Sequence, residues 1–189
     1  MTAADIKRVL HLRPHPREGG WYRRTWESLE SLPPSAFHDG RYPGPRRTST
    51  AIYYLLEADL FSPMHRLQSD EIFHHYMGDA VEMLQLFEDG SGRRLILGKD
   101  IECGQSLQVA VQRGVWQGCR LLPAGLQRPR LDPGITPGNV AQSPTLGWAL
   151  LGCTVSPGFE FEDYQEARAE DLLAGWPGEA ELIGALTHR

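Results

Sequence analysis

The stretch His65-Arg66-Leu67-Gln68-Ser69-Asp70-Glu71, followed by Gly78, decides the fold of this chain. Residues 71–76 and 80–87 are rich in apolar and aromatic side chains on either side of Gly78, a pattern typical of two strands. His65 and Glu71 are residue types that bind metal ions, whereas Leu67 between them has no electron pair to donate. The stretch therefore predicts a pocket beside two strands in which metal binding is weakened or lost.

Composition and charge limit the class of protein. The 189 residues are enough for one domain with a real core, so we expect a single domain over 1–189. A net charge of −5 gives no basic surface for nucleic acid. No apolar run has membrane-spanning length, and the N-terminus lacks the apolar core of a signal peptide. Cys103, Cys119 and Cys153 are too far apart for a zinc cluster. These features predict a cytoplasmic protein without membrane or nucleic-acid partners.

Short strands dominate the rest of the chain. A short helix is predicted over 2–12, and two more over 169–186, interrupted at Trp176-Pro177-Gly178. Turn signals separate predicted strands at 21–26, 49–56, 71–76, 80–87, 93–97, 107–111, 115–122 and 146–155. Residues 123–144 are rich in proline and glycine and predict a long loop or insertion. The pattern favours a β-sandwich or barrel, and the chain has no P-loop or G-x-G-x-x-G motif.

Several sequence blocks, taken together, resemble the cupin-5 type, a domain of unknown function in the cupin superfamily related to sugar-nucleotide (dTDP-4-dehydrorhamnose) epimerases. The blocks are 19–23, 48–56, 61–67, 69–74 with Gly78, 114–118 and 151–163. The resemblance implies an all-β fold, the cupin double-stranded β-helix or jelly-roll barrel, with short N- and C-terminal helices. It also implies a homodimer with a polar pocket at one mouth of the barrel.

The metal motifs of that superfamily are incomplete in this chain. In H-x-H-x(3,4)-E-x6-G, His65, Glu71 and Gly78 match, but Leu67 replaces the second histidine. In P-x-G-x-x-H, Gly114 matches, but Gln117 replaces the histidine. We therefore expect no metal cofactor. The alternative is a divalent metal bound weakly by His65, Glu71, Gln117 and His75, among which the amide is a poor ligand.

The candidate catalytic residues are His65 as base, Glu71 as its partner and Tyr54 as acid, with Asp70 as the alternative partner and Tyr53 or Tyr76 as alternative acids. A histidine–carboxylate pair can remove a proton next to a carbonyl near neutral pH, and the related epimerases use a histidine and a tyrosine without metal. The candidate ligand-binding residues are Arg23, Thr48, Ser62, Phe73, His75, Trp116 and Gln117. Strand alternation places His75 on the side of Glu71. The resemblance instead favours His74 in the pocket, so this choice stays open.

Three functions follow from these residues. The first is metal-independent epimerase- or isomerase-like chemistry on a small polar ligand, such as a sugar or nucleotide sugar. The second is binding of a small ligand without chemistry. The third is a metal-dependent enzyme with an atypical ligand set. A fold alone does not choose among them.

Overall fold

The computed structural model describes residues 1–37, 39–123 and 145–188. The described strands, in chain order, are β1 (Arg13–Pro14), β2 (Trp21–Glu27), β3 (Ser31–Leu32), β4 (Arg46–Arg47), β5 (Thr50–Glu57), β6 (Phe61–Arg66), β7 (Asp70–Gly78), β8 (Val81–Leu86), β9 (Gly92–Leu97), β10 (Gln108–Val111), β11 (Trp116–Leu121), β12 (Trp148–Ser156) and β13 (Gln165–Glu166). The helices are α1 (Ala3–Val9), α2 (Ala169–Gly175) and α3 (Ala180–Ala185). The predicted all-β fold with short terminal helices is confirmed.

Two antiparallel sheets carry the fold. The first has six strands in the order β1-β2-β5-β12-β7-β10, and the second has five in the order β13-β6-β11-β8-β9. A small third sheet pairs β3 with β4. The main core lies between the two large sheets, where Tyr54 and Phe73 of the first meet Met83 and Cys119 of the second. The predicted loop over 123–144 falls almost entirely outside the described residues.

The three helices cover the outside of the sheets. In α1, Thr2 and Asp5 form a capping box, in which each side chain bonds the backbone of the other. The buried Ile6 of this helix packs against the first sheet. Helices α2 and α3 pack against the outer side of the second sheet. A 3₁₀ turn at Pro177–Glu179 separates them, as the sequence predicted.

The burial pattern of β7 decides the question of His74 and His75. Glu71, Phe73 and His75 are all buried, as strict alternation requires. The register of β7 against β12 shifts only beyond His75, between the partners of Leu150 and Leu151. His74 is on the outer side, where its ring nitrogens contact Thr154 Oγ1 at 3.3 Å and Gln108 Nε2 at 3.1 Å. The histidine on the inner side is therefore His75.

A tight turn carries residues 15–20 from β1 to β2. Gly19 and Gly20 both have φ of +65°, which L side chains rarely adopt. A Cβ on Gly20 would lie 2.7 Å from the carbonyl oxygen of Leu55, and one on Gly19 would lie 2.8 Å from that of Phe61. The turn therefore packs against strands of both large sheets. This close approach brings His15 and Glu18 to the cavity described below.

Candidate functional site

A cavity of about 230 Å³ lies against the inner face of the six-stranded sheet. The chain from β1 to β2 forms one wall, with Arg13, His15 and Glu18. Residues of β5, β7 and β12 form its floor, and residues 159–161 form the opposite wall. The cavity therefore combines charged groups with apolar surface.

Glu18 and Glu71 both face this cavity. Burial raises the pKa of Glu18 to about 8. Burial also raises the pKa of Glu71 to about 7, and the negative charge of Glu18 adds to this effect. The raised pKa of Glu18 comes from burial alone, whereas that of Glu71 also reflects the charge of Glu18. Near pH 7.5 one carboxyl of such a pair can hold a proton while the other is ionised, which is the arrangement that acid–base chemistry requires.

His15 lies beside Glu18 and is neutral near pH 7. Burial lowers its pKa to about 4, and the neighbouring His65 acts in the same direction. The backbone N–H of Glu18 donates to His15 Nδ1 at 2.8 Å, so the ring proton is on Nε2. His15 Nε2 is 3.8 Å from Glu18 Oε1, which is longer than a hydrogen bond. His15 therefore offers an N–H donor beside the carboxyls.

Gln117 joins Glu71 to His65 across the two sheets. Its Nε2 donates to Glu71 Oε2 at 2.6 Å and lies 3.4 Å from His65 Nε2. His65 Nδ1 lies 2.8 Å from the carbonyl oxygen of Pro63, so this nitrogen carries the proton and Nε2 accepts. Burial lowers the pKa of His65. His65 is therefore a neutral, buried ring whose lone pair is directed at an amide.

The candidate catalytic residues occupy different positions relative to the cavity. Glu71 lines it. His65 is 1% exposed and stacked on the ring of Tyr164, with centroids 4.8 Å apart. The Tyr54 hydroxyl donates to the carbonyl oxygens of Glu18 and Gly19 at 3.1 and 3.3 Å. His65 and Tyr54 thus lie behind the cavity surface and support the residues that form it.

Three candidate ligand-binding residues lie on the second sheet: Ser62, Trp116 and Gln117. Gln117 contacts the cavity-lining Glu71 by a hydrogen bond. Ser62 is fully buried in β6. Trp116 lies on the opposite side of β11 from Gln117, where it packs with the C-terminal helices. The Arg66 guanidinium lies 4.5 Å from its ring centroid.

The candidates on the first sheet and its connections lie away from the cavity lining. Phe73 is 2% exposed in the core between the sheets. His75 is buried and its Nε2 donates to the carbonyl oxygen of Asp79 at 2.9 Å. Arg23 lies over the ring of Tyr53, at 5.6 Å. Thr48 donates to Ser28 Oγ at 2.7 Å.

The sequence interpretation missed the wall formed between β1 and β2. Tyr22 and Arg24 line the cavity, whereas Arg23, which alternates with them, does not. A signal was present, since Glu18 stands beside two consecutive glycines and His15 begins the same turn. Both Glu18 and His15 become visible as site residues only when the turn is placed against the sheets.

The residues present do not fit the metal site that the fold family implies. In the described part of the chain, no group of three or more His, Cys, Asp or Glu side chains is placed to hold a metal ion. Leu67 lines the cavity without a donor atom. The lone pair of His65 and one oxygen of Glu71 are both directed at Gln117 Nε2. A metal would have to break this contact and would find no third strong donor among them.

Two facing antiparallel sheets, with a cavity against the inner face of the first, define a β-barrel protein. The chain belongs to the Cupin_5 family of the cupin superfamily (DUF985), whose model matches residues 4–167. The implied jelly-roll barrel is thereby confirmed.

Three proteins are similar to this chain over most of its length. The uncharacterized protein YML079W of Saccharomyces cerevisiae is 28% identical over 163 residues, which are 83% of this chain and 71% of that protein. A hypothetical protein from Leishmania major has a solved structure with a TM-score of 0.81 and 26% identity, covering 100% of both chains. Protein SO0799 from Shewanella oneidensis matches with a TM-score of 0.76 and 28% identity, covering 100% of this chain and 98% of the other.

No helix in the described ranges is long and apolar enough to cross a membrane.

Proposed function

We propose that this cupin is a metal-independent acid–base enzyme of the isomerase or epimerase type, acting on a small polar ligand. Glu71 is its principal proton-transfer group, and Glu18 is the second. This keeps the reaction class expected from the sequence but moves the acid–base role from His65 and Tyr54 to the two cavity carboxyls.

The observation that carries the proposal is the pair of carboxyls facing one cavity with raised pKa values. Titratable groups whose environments shift their pKa toward the working pH are concentrated at catalytic sites. Two such carboxyls reach the cavity from separate elements, the β1–β2 turn and β7. This convergence favours a catalytic role for the carboxyls over a purely structural one. In the described residues, no Lys or Arg lies within ion-pair distance of either carboxyl. The basic side chain that does, His15 beside Glu18, is neutral near pH 7.

The proton transfers are those of an enolisation. An ionised Glu71 removes a proton from the carbon next to a ligand carbonyl, and the C–H electron pair moves to the carbonyl oxygen as an enolate. The protonated Glu18 donates a hydrogen bond or its proton to that oxygen. With an α-hydroxy carbonyl ligand, Glu71 returns its proton to the former carbonyl carbon while the Glu18 carboxylate takes the proton of the neighbouring hydroxyl, which gives the isomer. Protonation of the first carbon from the opposite face by Glu18, with Glu71 keeping the abstracted proton, gives the epimer.

His65 and Gln117 act as positioning residues in this proposal. The Gln117 amide holds one oxygen of Glu71 and so fixes the direction of the carboxylate. His65 accepts from the same amide and keeps it oriented. Cys153 also lines the cavity and bonds the Glu71 carboxyl, and burial raises its own pKa well above the usual range, so it remains a thiol.

The size of the cavity favours a small ligand. Pockets for drug-sized molecules have volumes of roughly 300–1,000 Å³, and this one has about 230 Å³. We therefore propose a molecule the size of a monosaccharide. A complete nucleotide sugar would have to extend out of the cavity.

Proton exchange in D₂O tests the proposal. The EDTA-treated protein is incubated with a panel of aldoses, ketoses and uronic acids, and loss of the C–H signal next to the carbonyl is followed by NMR. We expect enzyme-dependent exchange with at least one of them, lowered at least a hundredfold in Glu71→Gln. Glu88→Gln, an exposed glutamate, serves as the matched control. Exchange that needs added metal, or is equal in Glu71→Gln, contradicts the proposal.

A second candidate is binding without chemistry. It is favoured by the backbone hydrogen bonds of His65 and Tyr54, which engage the two groups expected to act as base and acid. Saturable ligand binding without any exchange in D₂O would support this candidate instead.

The homodimer and the cytoplasmic location expected from the sequence also remain proposals. Size-exclusion chromatography with light scattering tests the homodimer, and cell fractionation tests the location.

A further inference from the structure

Arg13 presents a positive charge to the cavity with few competing partners. Its Nη2 donates to the Tyr22 hydroxyl at 2.9 Å, and its guanidinium carbon lies 5.0 Å from the centroid of the same ring. Arg13 is exposed, and in the described residues its guanidinium forms no ion pair with a carboxylate. Arg24, which lines the same cavity, instead bonds Glu27 at 2.6 Å and the Phe159 carbonyl at 3.1 Å. Arg13 is thus held in place while most of its donors stay available.

Other residues of the cavity lining carry neutral donors. The Tyr22 hydroxyl accepts from Arg13, so its own hydrogen is left for another acceptor. The Thr50 hydroxyl accepts from the backbone N–H of Phe159 at 3.0 Å, which leaves its hydrogen in the same situation. The His15 ring lies against that of Tyr22, with centroids 4.6 Å apart, and its Nε2 is 3.8 Å from Glu18 Oε1. Arg13 and the Tyr22 hydroxyl therefore place a cationic donor beside a neutral one, which is the combination that an oxyanion requires.

The acidic groups of the cavity set a limit on the position of that oxyanion. Glu18 of the turn, Glu71 of β7 and Glu160 also line the cavity. An anion between Glu18 and Glu71 would be repelled once either is ionised. An anion on Arg13 and Tyr22 leaves the rest of a small ligand directed toward Glu71, with Ile52, Val155 and Phe161 offering apolar contact.

We propose that the ligand of this cavity is a small organic anion whose carboxylate or phosphate oxyanion is bound by Arg13 and the Tyr22 hydroxyl. This inference deepens the proposed function and rests on its cavity, but it does not rest on the proton transfer itself. Arg13 is then a specificity-determining residue, and Glu71 is the catalytic one.

Titration with minimal anions tests the inference without knowledge of the natural ligand. Backbone ¹⁵N–¹H shifts of Arg13, His15 and Tyr22 are followed in the full-length protein at constant ionic strength, with sodium chloride as the balancing salt. The probes are acetate, its neutral isostere acetamide, and inorganic phosphate. We expect saturable shifts with dissociation constants on the order of 1–10 mM for at least one anion and none for acetamide. Acetate and phosphate distinguish the two sources of oxyanion.

Three variants complete the test. Arg13→Met should weaken anion binding at least tenfold, and Tyr22→Phe should weaken it less, while Arg8→Met, on the exposed face of α1, should leave it unchanged. Glu71→Gln should keep acetate or phosphate binding even though it abolishes proton exchange, which separates this inference from the proposed function. Equal shifts with acetamide, undiminished binding in Arg13→Met, or no saturable shift with either anion would each overturn it.

Discussion

At the scale of single residues, the two cavity carboxyls make the folded state sensitive to pH. Glu18 and Glu71 have pKa values of about 8 and about 7 in the fold, against 4.5 for an ordinary glutamate. Between pH 4.5 and 8 the unfolded chain therefore binds fewer protons at these positions than the folded chain. The free energy of unfolding falls as pH rises through that window, because ionising a buried carboxyl is unfavourable. His15, with its pKa lowered to about 4, acts oppositely between pH 6.5 and 4.

Glu18→Gln should remove part of this pH dependence. We expect the variant to be more stable than the wild type at pH 8.5, by on the order of a few kcal/mol, and close to it at pH 5. Urea unfolding at the two pH values measures the difference. Glu88→Gln, at an exposed position, is the control and should change stability equally little at both. A Glu18→Gln variant with the same pH dependence as the wild type would show that Glu18 titrates normally.

Leucine at position 67 and glutamine at position 117, where the metal motifs of the superfamily have histidines, explain why the site fits a metal ion poorly. Replacing Leu67 and Gln117 by histidine would add two imidazoles near His65 and Glu71, since Gln117 pairs directly with His65 across β11 and β6. We expect the Leu67→His/Gln117→His double variant to bind one Zn²⁺, Co²⁺ or Mn²⁺ per chain, at least a hundredfold more tightly than the wild type. Metal analysis after dialysis and the d–d absorption of Co²⁺ report the result. Near-stoichiometric tight metal in the wild type, lost in His65→Ala, would contradict the account.

The sequence was most informative about residues inside motifs. Glu71 and Gln117 were named from their positions, and they meet at 2.6 Å. Arg13, His15 and Glu18 were not, because a turn has no periodicity from which the direction of a side chain can be inferred. Alternation did predict that His75 shares the inner side with Glu71. It could not show that the Asp79 carbonyl would engage the His75 ring instead of a ligand.

At the scale of elements, a buried ion pair fixes the wall formed by residues 159–161. Arg46 is 3% exposed and donates to both carboxylate oxygens of Asp163, at 3.1 and 2.9 Å. Its guanidinium carbon also lies 4.8 Å from the ring centroid of Tyr42. Because Asp163 is two residues beyond the cavity-lining segment 159–161, Arg46 of β4 holds the end of that segment against the barrel.

Breaking this pair should both destabilise the fold and disturb the cavity wall. Arg46→Met leaves the carboxylate of Asp163 buried without its partner, which costs about 3–5 kcal/mol. Arg168→Met, which removes an exposed pair with Asp171, should cost less than about 1 kcal/mol. Chemical denaturation measures both. Equal losses in the two variants would show that the buried pair does not hold the wall in place.

Most strands were predictable because they alternate and are separated by turns. The helices at both ends were predicted from caps and a proline–glycine interruption, and the boundaries of the strands moved by only a few residues. The strand β6 (Phe61–Arg66) was not predicted, and neither were the two-residue strands β1, β3, β4 and β13, since two residues carry no period. Two of these, β1 and β4, carry Arg13 and Arg46, so the missed elements are important for the site.

At the scale of the whole molecule, the C-terminal helices complete the outer side of the second sheet. Leu172 of α2 is 1% exposed and packs with Leu84 and Leu86 of β8 and with Leu182 of α3. The neighbouring Leu173 is 38% exposed. The barrel therefore depends on a segment that lies beyond the last matched residue of the family model, Ala167.

Leu172→Ala and Leu173→Ala form a matched pair for this dependence. The first creates a cavity in a packed cluster and should lower the free energy of unfolding by about 2–5 kcal/mol. The second should lower it by less than about 1 kcal/mol, because its side chain keeps much of its contact with water in the folded state. Equilibrium unfolding in urea distinguishes them. Similar small effects would mean that the helices do not stabilise the sheet beneath them.

The order of strands in space was accessible only through the family resemblance. β12 lies between β5 and β7 although residues 79–147 separate it from β7 in the chain, and no local pattern encodes such long-range pairing. The same pairing places Cys153 and Val155 of β12 beside Glu71. The cavity is therefore a property of the assembled sheets, whereas the strands that form it are properties of local sequence.

The central claim is that two carboxyls in one cavity carry protons near neutral pH, and a ¹³C NMR titration of the glutamate side chains tests it most directly. Assignment uses Glu18→Gln and Glu71→Gln, and the exposed Glu88 provides an internal reference. We expect the Glu71 and Glu18 carboxyl signals to titrate with midpoints near 7 and 8, and the Glu71 midpoint to fall in Glu18→Gln. Midpoints near 4.5 for both would contradict the raised pKa values and the acid–base function built on them.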